Sequence, residues 1–204
     1  MADKSTQPQL WTHRSVADTK ALYADWAPSY EADVTRMRYA TPTRLAAALA
    51  RFTPDKTVPI LDFGCGTGLS GEALEAAGFE AIDGTDISPE MLEQARAKGC
   101  YRALWLGTPG EAGARAGSYG AITATGVISL GAAPPEMLDT LLEALAPGGR
   151  LAFSYNDPTL ADARFMAALD GALTSGKARQ LFREHGPHLS EKVTGSDVIV
   201  LERR

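Results

Sequence analysis

The chain has 204 residues, a formal net charge of −5 and two cysteines, which predicts one domain that buries on the order of 70% of its unfolded surface without a disulfide framework or metal staple. No Lys/Arg cluster suggests a nucleic-acid backbone as partner, and no apolar run approaches the ~20 residues that span a bilayer. The opening, Met1 to Trp11, is polar and lacks the apolar core of a signal peptide. The expectation is therefore a cytoplasmic protein with no nucleic-acid, membrane or metal partner, and with an oligomeric state the sequence leaves open.

In chain order, residues 18–37 carry Leu22, Trp26, Tyr30, Val34 and Met37 at helical spacing. Pro28 is expected to break this stretch and open a second helix. Thr41-Pro42 reads as a cap followed by the first helical proline, with Leu45, Leu49 and Phe52 on one face. Strand and helix then alternate. Strands are expected over 58–63, 81–86, 100–106, 120–127 and 150–155. Helices are expected over 68–77, after the cap Ser88-Pro89, over 134–145 and over 162–173, with Pro147-Gly148-Gly149 closing the third of these. Residues 108–120 read as a loop. Two final strands, 179–185 and 197–202, are joined by a segment too short for a crossover helix, so the last strand is expected to run antiparallel. Such alternation predicts an α/β fold, a three-layer Rossmann-like domain. It would occupy 1–204, with 1–54 as a helical cap and 55–204 as the core.

Ligands of such sheets sit at the strands' carboxyl ends. There the chain has Asp62-Phe63-Gly64-Cys65-Gly66-Thr67-Gly68, and twenty positions beyond Gly66 it has Asp86. Gly66-Thr67-Gly68-Leu69-Ser70-Gly71 fits the dinucleotide fingerprint, so an NAD(P)-dependent oxidoreductase is one reading. Asp62 weighs against it: a carboxylate ahead of the glycines repels a pyrophosphate and welcomes a cationic ligand. Apolar Ile87 and Met91 follow Asp86, where an adenine ring could pack.

At these residues the chain resembles the class I S-adenosylmethionine (SAM) methyltransferases. Thr85-Asp86-Ile87-Ser88-Pro89-Glu90-Met91 and the Pro-Gly-Gly ahead of the fifth strand add to the likeness. Tyr23-Ala24-Asp25-Trp26-Ala27-Pro28-Ser29-Tyr30-Glu31 is similar to an N-terminal signature of quinone-biosynthesis methyltransferases and of the small Williams–Beuren-region methyltransferase-like proteins. Tyr155-Asn156-Asp157 and Glu184-His185-Gly186-Pro187-His188 are similar to the latter group. The resemblance implies a seven-stranded sheet of order 3-2-1-4-5-7-6 with strand seven antiparallel. It also implies that Gly64, Gly66 and Gly68 cradle the methionine part of SAM, with Asp62 near its ammonium. Asp86 would hold the ribose hydroxyls, Ile87 and Met91 would flank adenine, and Thr125 would pass along the cofactor. Tyr23 and Tyr30 would close over the sulfonium, with Trp26 anchoring their helix. Met91 and the Tyr23-Trp26-Tyr30 stripe read equally well as core packing.

The chain departs from the family in two places. The acid that often follows strand three is replaced by Gly107-Thr108, leaving Thr108 to face adenine, and the histidines of close relatives after strand four are replaced by Leu130-Gly131-Ala132. A SAM-binding protein without transferase activity is accordingly an alternative. Methyl transfer needs alignment and exclusion of water more than covalent chemistry. An acceptor with a proton to lose needs a base. The candidates near the sheet's carboxyl edge are His188, Tyr155, Asp157 and His185, with Asn156 able only to orient. His188 reads alternatively as a solvated loop residue. No Asn/Asp-Pro-Pro-aromatic motif follows strand four, and Cys65 and Cys100 read as small core residues, so the expected acceptor is a small molecule.

Overall fold

The computed structural model describes Thr12 and residues 14–204; the polar opening considered above lies outside them. Seven strands form one sheet: β1 Ile60–Phe63, β2 Ile82–Asp86, β3 Ala103–Leu106, β4 Tyr119–Ala124, β5 Leu145–Asn156, β6 Ala178–Pro187 and β7 Gly195–Arg203. Their order is β3-β2-β1-β4-β5-β7-β6. The β1, β2, β3, β4 and β5 strands pair in parallel, while β7 runs antiparallel to both β5 and β6. The antiparallel ending has a local cause: too few residues separate β6 from β7 for a crossover helix, so the chain must turn straight back.

Side-chain alternation along the strands builds two cores. Ile60, Ala121, Ala152, Val198 and Val200 face Leu45, Ala46, Ala48 and Leu49 of α2 (Thr41–Phe52) and Leu74 of α3 (Leu69–Ala76). Their immediate neighbours Leu61, Ile122, Leu151, Phe153, Ile199 and Leu201 face the other way. There they meet Leu138, Leu141 and Leu142 of α5 (Met137–Ala144) and Phe165 and Leu169 of α7 (Ala163–Thr174). A period of two along each strand thus yields three layers.

Several local expectations are corrected. Residues 16–36 form one unbroken helix, α1 (Val16–Arg36), with Pro28 inside it. An interior proline costs a helix about 3 kcal/mol. Here contacts on both sides of it hold the turns together: Trp26 Nε1 donates to Asp33 Oδ2 at 2.9 Å, the Tyr23 ring stacks on Trp26, and Tyr30 meets Trp26 edge-on. Thr41 is not a cap; Ala40 precedes the helix without a side-chain cap, and the Thr41 hydroxyl is committed elsewhere. Pro147-Gly148-Gly149 lies within β5 rather than closing a helix. β4 ends at Ala124, short of the expected Val127. Asn156 caps a four-residue helix, α6 (Asp157–Leu160), that periodicity is too short to reveal. Ser88 does cap α4 (Pro89–Lys98), accepting from the Met91 N–H. No helix among the described residues is long and apolar enough to cross a membrane.

Candidate functional site

The glycine loop leaves β1 and enters α3. Gly64 and Gly66 both have positive φ, 67° and 54°, a region that a Cβ disfavours by roughly 1–2 kcal/mol. The two differ in what surrounds them. A Cβ on Gly64 would lie 2.3 Å from Val127 Cγ2, whereas one on Gly66 would meet nothing within 4 Å. Gly64 is therefore demanded by packing, and Gly66 leaves open space in front of the loop. Gly68, also at positive φ, stands at the N-terminus of α3.

Asp86 ends β2 beside that space. Its Oδ2 accepts from the Gly66 N–H and its Oδ1 from the Ser88 N–H, each at 2.9 Å, so each oxygen keeps further acceptor capacity. Burial raises its pKa, partly opposed by those N–H bonds. Ile87 is half-buried, Met91 is buried at 2% exposure, and the Thr108 side chain is exposed on the loop after β3. The Thr67 and Thr125 hydroxyls are buried without a hydrogen-bond partner among the described residues. Unsatisfied buried hydroxyls are rare, and Thr67 lies within the glycine loop, where a ligand could complete its hydroxyl.

Asp62 lies beneath the loop at 0% exposure. Three hydroxyls donate to its carboxylate: Ser70 at 2.6 Å and Tyr101 at 2.7 Å to Oδ2, and Thr123 at 2.9 Å to Oδ1. Burial raises its pKa despite these donors. Tyr101, which sequence reasoning passed over as part of a strand, also accepts the Gly71 N–H at 3.1 Å. Its ring fills a slot between Gly71 and Gly84, where added Cβ atoms would lie 2.3 and 2.9 Å from it. Those two glycines, one in a helix and one in a strand, were the available signal, since neither position needs glycine for a turn.

Helix α1 roofs a pocket at the carboxyl ends of β4 and β5. Its lining includes Tyr23, Trp26 and Tyr30 of the roof, Tyr39, Gly126 after β4, Asn156 at the end of β5, and His188 after β6. The cavity measures about 70 Å³, room for no more than a few waters. Burial foremost, and the Asp86 charge among lesser causes, raise the pKa values of Tyr23 and Tyr30, and Tyr39 is raised by burial, Tyr23 and Asp62. The roof is clamped by Lys98 of α4, whose Nζ lies 3.0 Å from Glu31 of α1 and 2.7 Å from Glu72 of α3.

A family model described as a methyltransferase domain matches residues 36–192 of this chain, and the strand order and site geometry agree with it. The chain belongs to the class I SAM-dependent methyltransferase family. Human methyltransferase-like protein 27 is 37% identical over 132 residues, 63% of this chain and 54% of that protein. The ubiquinone biosynthesis O-methyltransferase of Xylella fastidiosa is 30% identical over 129 residues, 61% of this chain and 51% of that protein. The chain thus spans about half the length of these curated relatives. Among solved structures, the magnesium protoporphyrin IX methyltransferase of Synechocystis with bound SAM is similar in fold, with a TM-score of 0.67 at 20% identity, covering 94% of this chain and 100% of that one.

The methyltransferase pocket gathers some of the expected residues and leaves others out. Tyr23, Tyr30, Asn156 and His188 line it. Tyr155 does not: it is fully buried in the core, edge-on to Phe153 and Phe165. His185, instead, pairs with Asp197, Nδ1 to Oδ1 at 2.9 Å, and Asp157 accepts the Gly195 N–H. His188 is no solvated loop residue, being 5% exposed with Tyr39 edge-on to its ring at 5.1 Å. Burial lowers its pKa to about 4; Asp157 opposes this and Arg44 adds to it. The Cys65 thiol is pushed up by burial and Cys100 to about 11, so neither is a thiolate at neutral pH.

Proposed function

We propose that this methyltransferase domain acts on a small organic acceptor bound beneath α1. The observation that carries this reading is the aromatic pocket of about 70 Å³ under α1 at the carboxyl ends of β4 and β5, the same sheet edge at which the glycine loop and Asp86 stand. A cavity so small suits a compact molecule, or a slender group, reached by displacing little of the roof. The names of two similar proteins, a ubiquinone biosynthesis O-methyltransferase and a magnesium protoporphyrin IX methyltransferase, point to the same substrate class.

SAM, when bound, supplies an electrophilic methyl group on a positively charged sulfur. The backbone at Gly64, Gly66 and Gly68 would hold its methionine part, and Asp86 would accept from the ribose hydroxyls with the capacity its two N–H bonds leave. Ile87 and Met91 would border adenine, Thr125 would donate its unpartnered hydroxyl, and Thr108 would contribute from the loop after β3. Asp62 lends negative charge beneath the loop, where a cationic ligand is favoured. Tyr23 and Tyr30 would exclude water and face the sulfonium with their rings, a contact worth roughly 0.5–2 kcal/mol. Among the described residues no group lining the pocket is a ready base at neutral pH: the tyrosines are held protonated and His188 is a poor proton acceptor. This favours acceptors that arrive with a free lone pair or already ionised.

The test is incubation of the protein with methyl-labelled SAM and a small-molecule extract, a nucleic-acid fraction and a protein fraction in parallel. Label is expected in the small-molecule fraction. Label confined to RNA or protein would overturn the acceptor class. A thermal shift with S-adenosylhomocysteine, about 2.7 kcal/mol at a hundredfold excess over its dissociation constant, checks cofactor binding separately.

A further inference from the structure

Behind His188, which lines the pocket, lies a chain of polar groups not assigned to the methyl donor. Arg44, with a side chain 16% exposed, donates from Nη1 to Ser196 Oγ at 3.2 Å and to the carbonyls of Pro187 and Ser196. Ser196 Oγ lies 3.0 Å from Thr41 Oγ1, and Thr41 Oγ1 lies 2.8 Å from His188 Nδ1. A guanidinium only donates, so it fixes the direction of the chain. With Ser196 accepting from Arg44, its own proton goes to Thr41, and the Thr41 proton goes to Nδ1. In the reverse direction the buried Ser196 hydroxyl proton has no acceptor among the described residues. Burying it unpaired is unfavourable. Nδ1 is thus the acceptor, and the neutral ring carries its proton on Nε2.

Asn156 is oriented in the same way. Its Oδ1 accepts from the Thr159 N–H at 3.1 Å and the Thr159 hydroxyl at 2.8 Å, while that hydroxyl accepts from the Leu130 N–H. The oxygen is therefore spent, and the amide N–H groups remain. Among the described residues neither His188 Nε2 nor Asn156 Nδ2 has a hydrogen-bond partner, both side chains are more than nine-tenths buried, and both line the pocket. Among the described residues no carboxylate or ammonium lines it with them.

We propose that His188 Nε2–H and Asn156 Nδ2–H are a pair of positioning donors that select an aromatic acceptor bearing an electron-rich oxygen, a carboxylate, carbonyl or phenolate, against the rings of α1. This rests on the reading that the pocket is the acceptor site. It makes His188 a reader of the acceptor and not its base, because the nitrogen facing the pocket already holds a proton. A carboxylate would gain charge-assisted bonds from both donors, and an ammonium would meet two N–H groups and no acceptor.

Two measurements test it. Long-range proton–nitrogen correlation on the free protein is expected to show His188 protonated at Nε2 only; protonation at Nδ1 overturns the relay. Titration with benzoate and with benzylamine, which share a ring and differ in the group presented, is expected to favour benzoate by about tenfold or more. Asn156→Asp keeps size and helix cap while replacing the donor with a carboxylate, and is expected to reverse that preference. Equal binding of the two probes, no benzoate binding at millimolar concentration, or an unchanged preference in Asn156→Asp overturns the proposal. Failure of S-adenosylhomocysteine to bind while the benzoate preference holds would overturn the methyl-acceptor reading and leave the donor pair standing.

Discussion

The Tyr101 hydroxyl donates to Asp62 at 2.7 Å and accepts the Gly71 N–H at 3.1 Å, so one phenol ties the first strand's acid to the first turn of the helix that follows the glycine loop. Tyr101→Phe removes both bonds and leaves a buried N–H unpaired and Asp62 with two donors. It is expected to cost about 1–3 kcal/mol, read as a lower urea midpoint at unchanged slope. Gly71→Ala, whose Cβ would lie 2.4 Å from the phenol oxygen, is expected to destabilise by a similar amount through overpacking.

The glycine loop offers a contrast between two alanines. Gly64→Ala drives a methyl group into Val127 at positive φ and is expected to lose about 2–5 kcal/mol of stability. Gly66→Ala meets no protein atom within 4 Å and carries only the backbone strain of roughly 1–2 kcal/mol. Its methyl group would fill the space a ligand needs. The expected outcome is a folded protein by circular dichroism that no longer binds S-adenosylhomocysteine in calorimetry.

Asp86→Ala is expected to weaken S-adenosylhomocysteine by about 10- to 100-fold, the loss of charge-assisted hydrogen bonds worth roughly 1.5–3 kcal/mol. Unchanged affinity would remove Asp86 from the site. The effect on folding is a separate matter, because the Gly66 and Ser88 N–H groups also lose their acceptor.

His188 gives the fold a pH dependence of definite sign. Its ring is held neutral by burial, with a folded pKa of about 4 against an ordinary 6.5. Between those values the unfolded chain binds the extra proton, so stability is full above 6.5 and falls as pH drops toward 4, by on the order of 3 kcal/mol. Asp62 and Asp86, with raised pKa values, contribute the opposite slope at the acid end. Comparing wild type with His188→Gln across pH 4 to 8 isolates the histidine: the stability difference is expected to change with pH below about 6.5 and to be a constant offset above pH 7.

The sheet, its antiparallel edge and the placement of Asp62, the glycines and Asp86 at strand ends were legible because periodicity and punctuation are local. What lay beyond reach was long-range pairing. Nothing near Thr41 reveals that its hydroxyl meets Ser196 and His188, 155 and 147 positions away, and so it read as a cap. His188 follows a proline, which suggested solvent, yet Tyr39 and α2 cover it. Tyr155 shares a strand face with Phe153, and only the packed sheet tells that this face is the core and not the pocket. Pro28 read as a break because propensity cannot see the Trp26–Asp33 bond that carries the helix past it.

The clamp of Lys98 on Glu31 and Glu72 has a kinetic meaning. If the acceptor binds beneath α1 as proposed, the helix that walls the pocket would also be its door, unlatched to admit an acceptor and again to release the methylated product. The latch is the ion contact of Lys98 with the partly exposed Glu31 carboxylate, Lys98 being held to α3 by Glu72; such a contact is worth little to stability and is weakened by added salt. Ionic strength should therefore act as a throttle on turnover, speeding entry and exit while loosening the exclusion of water that the chemistry requires.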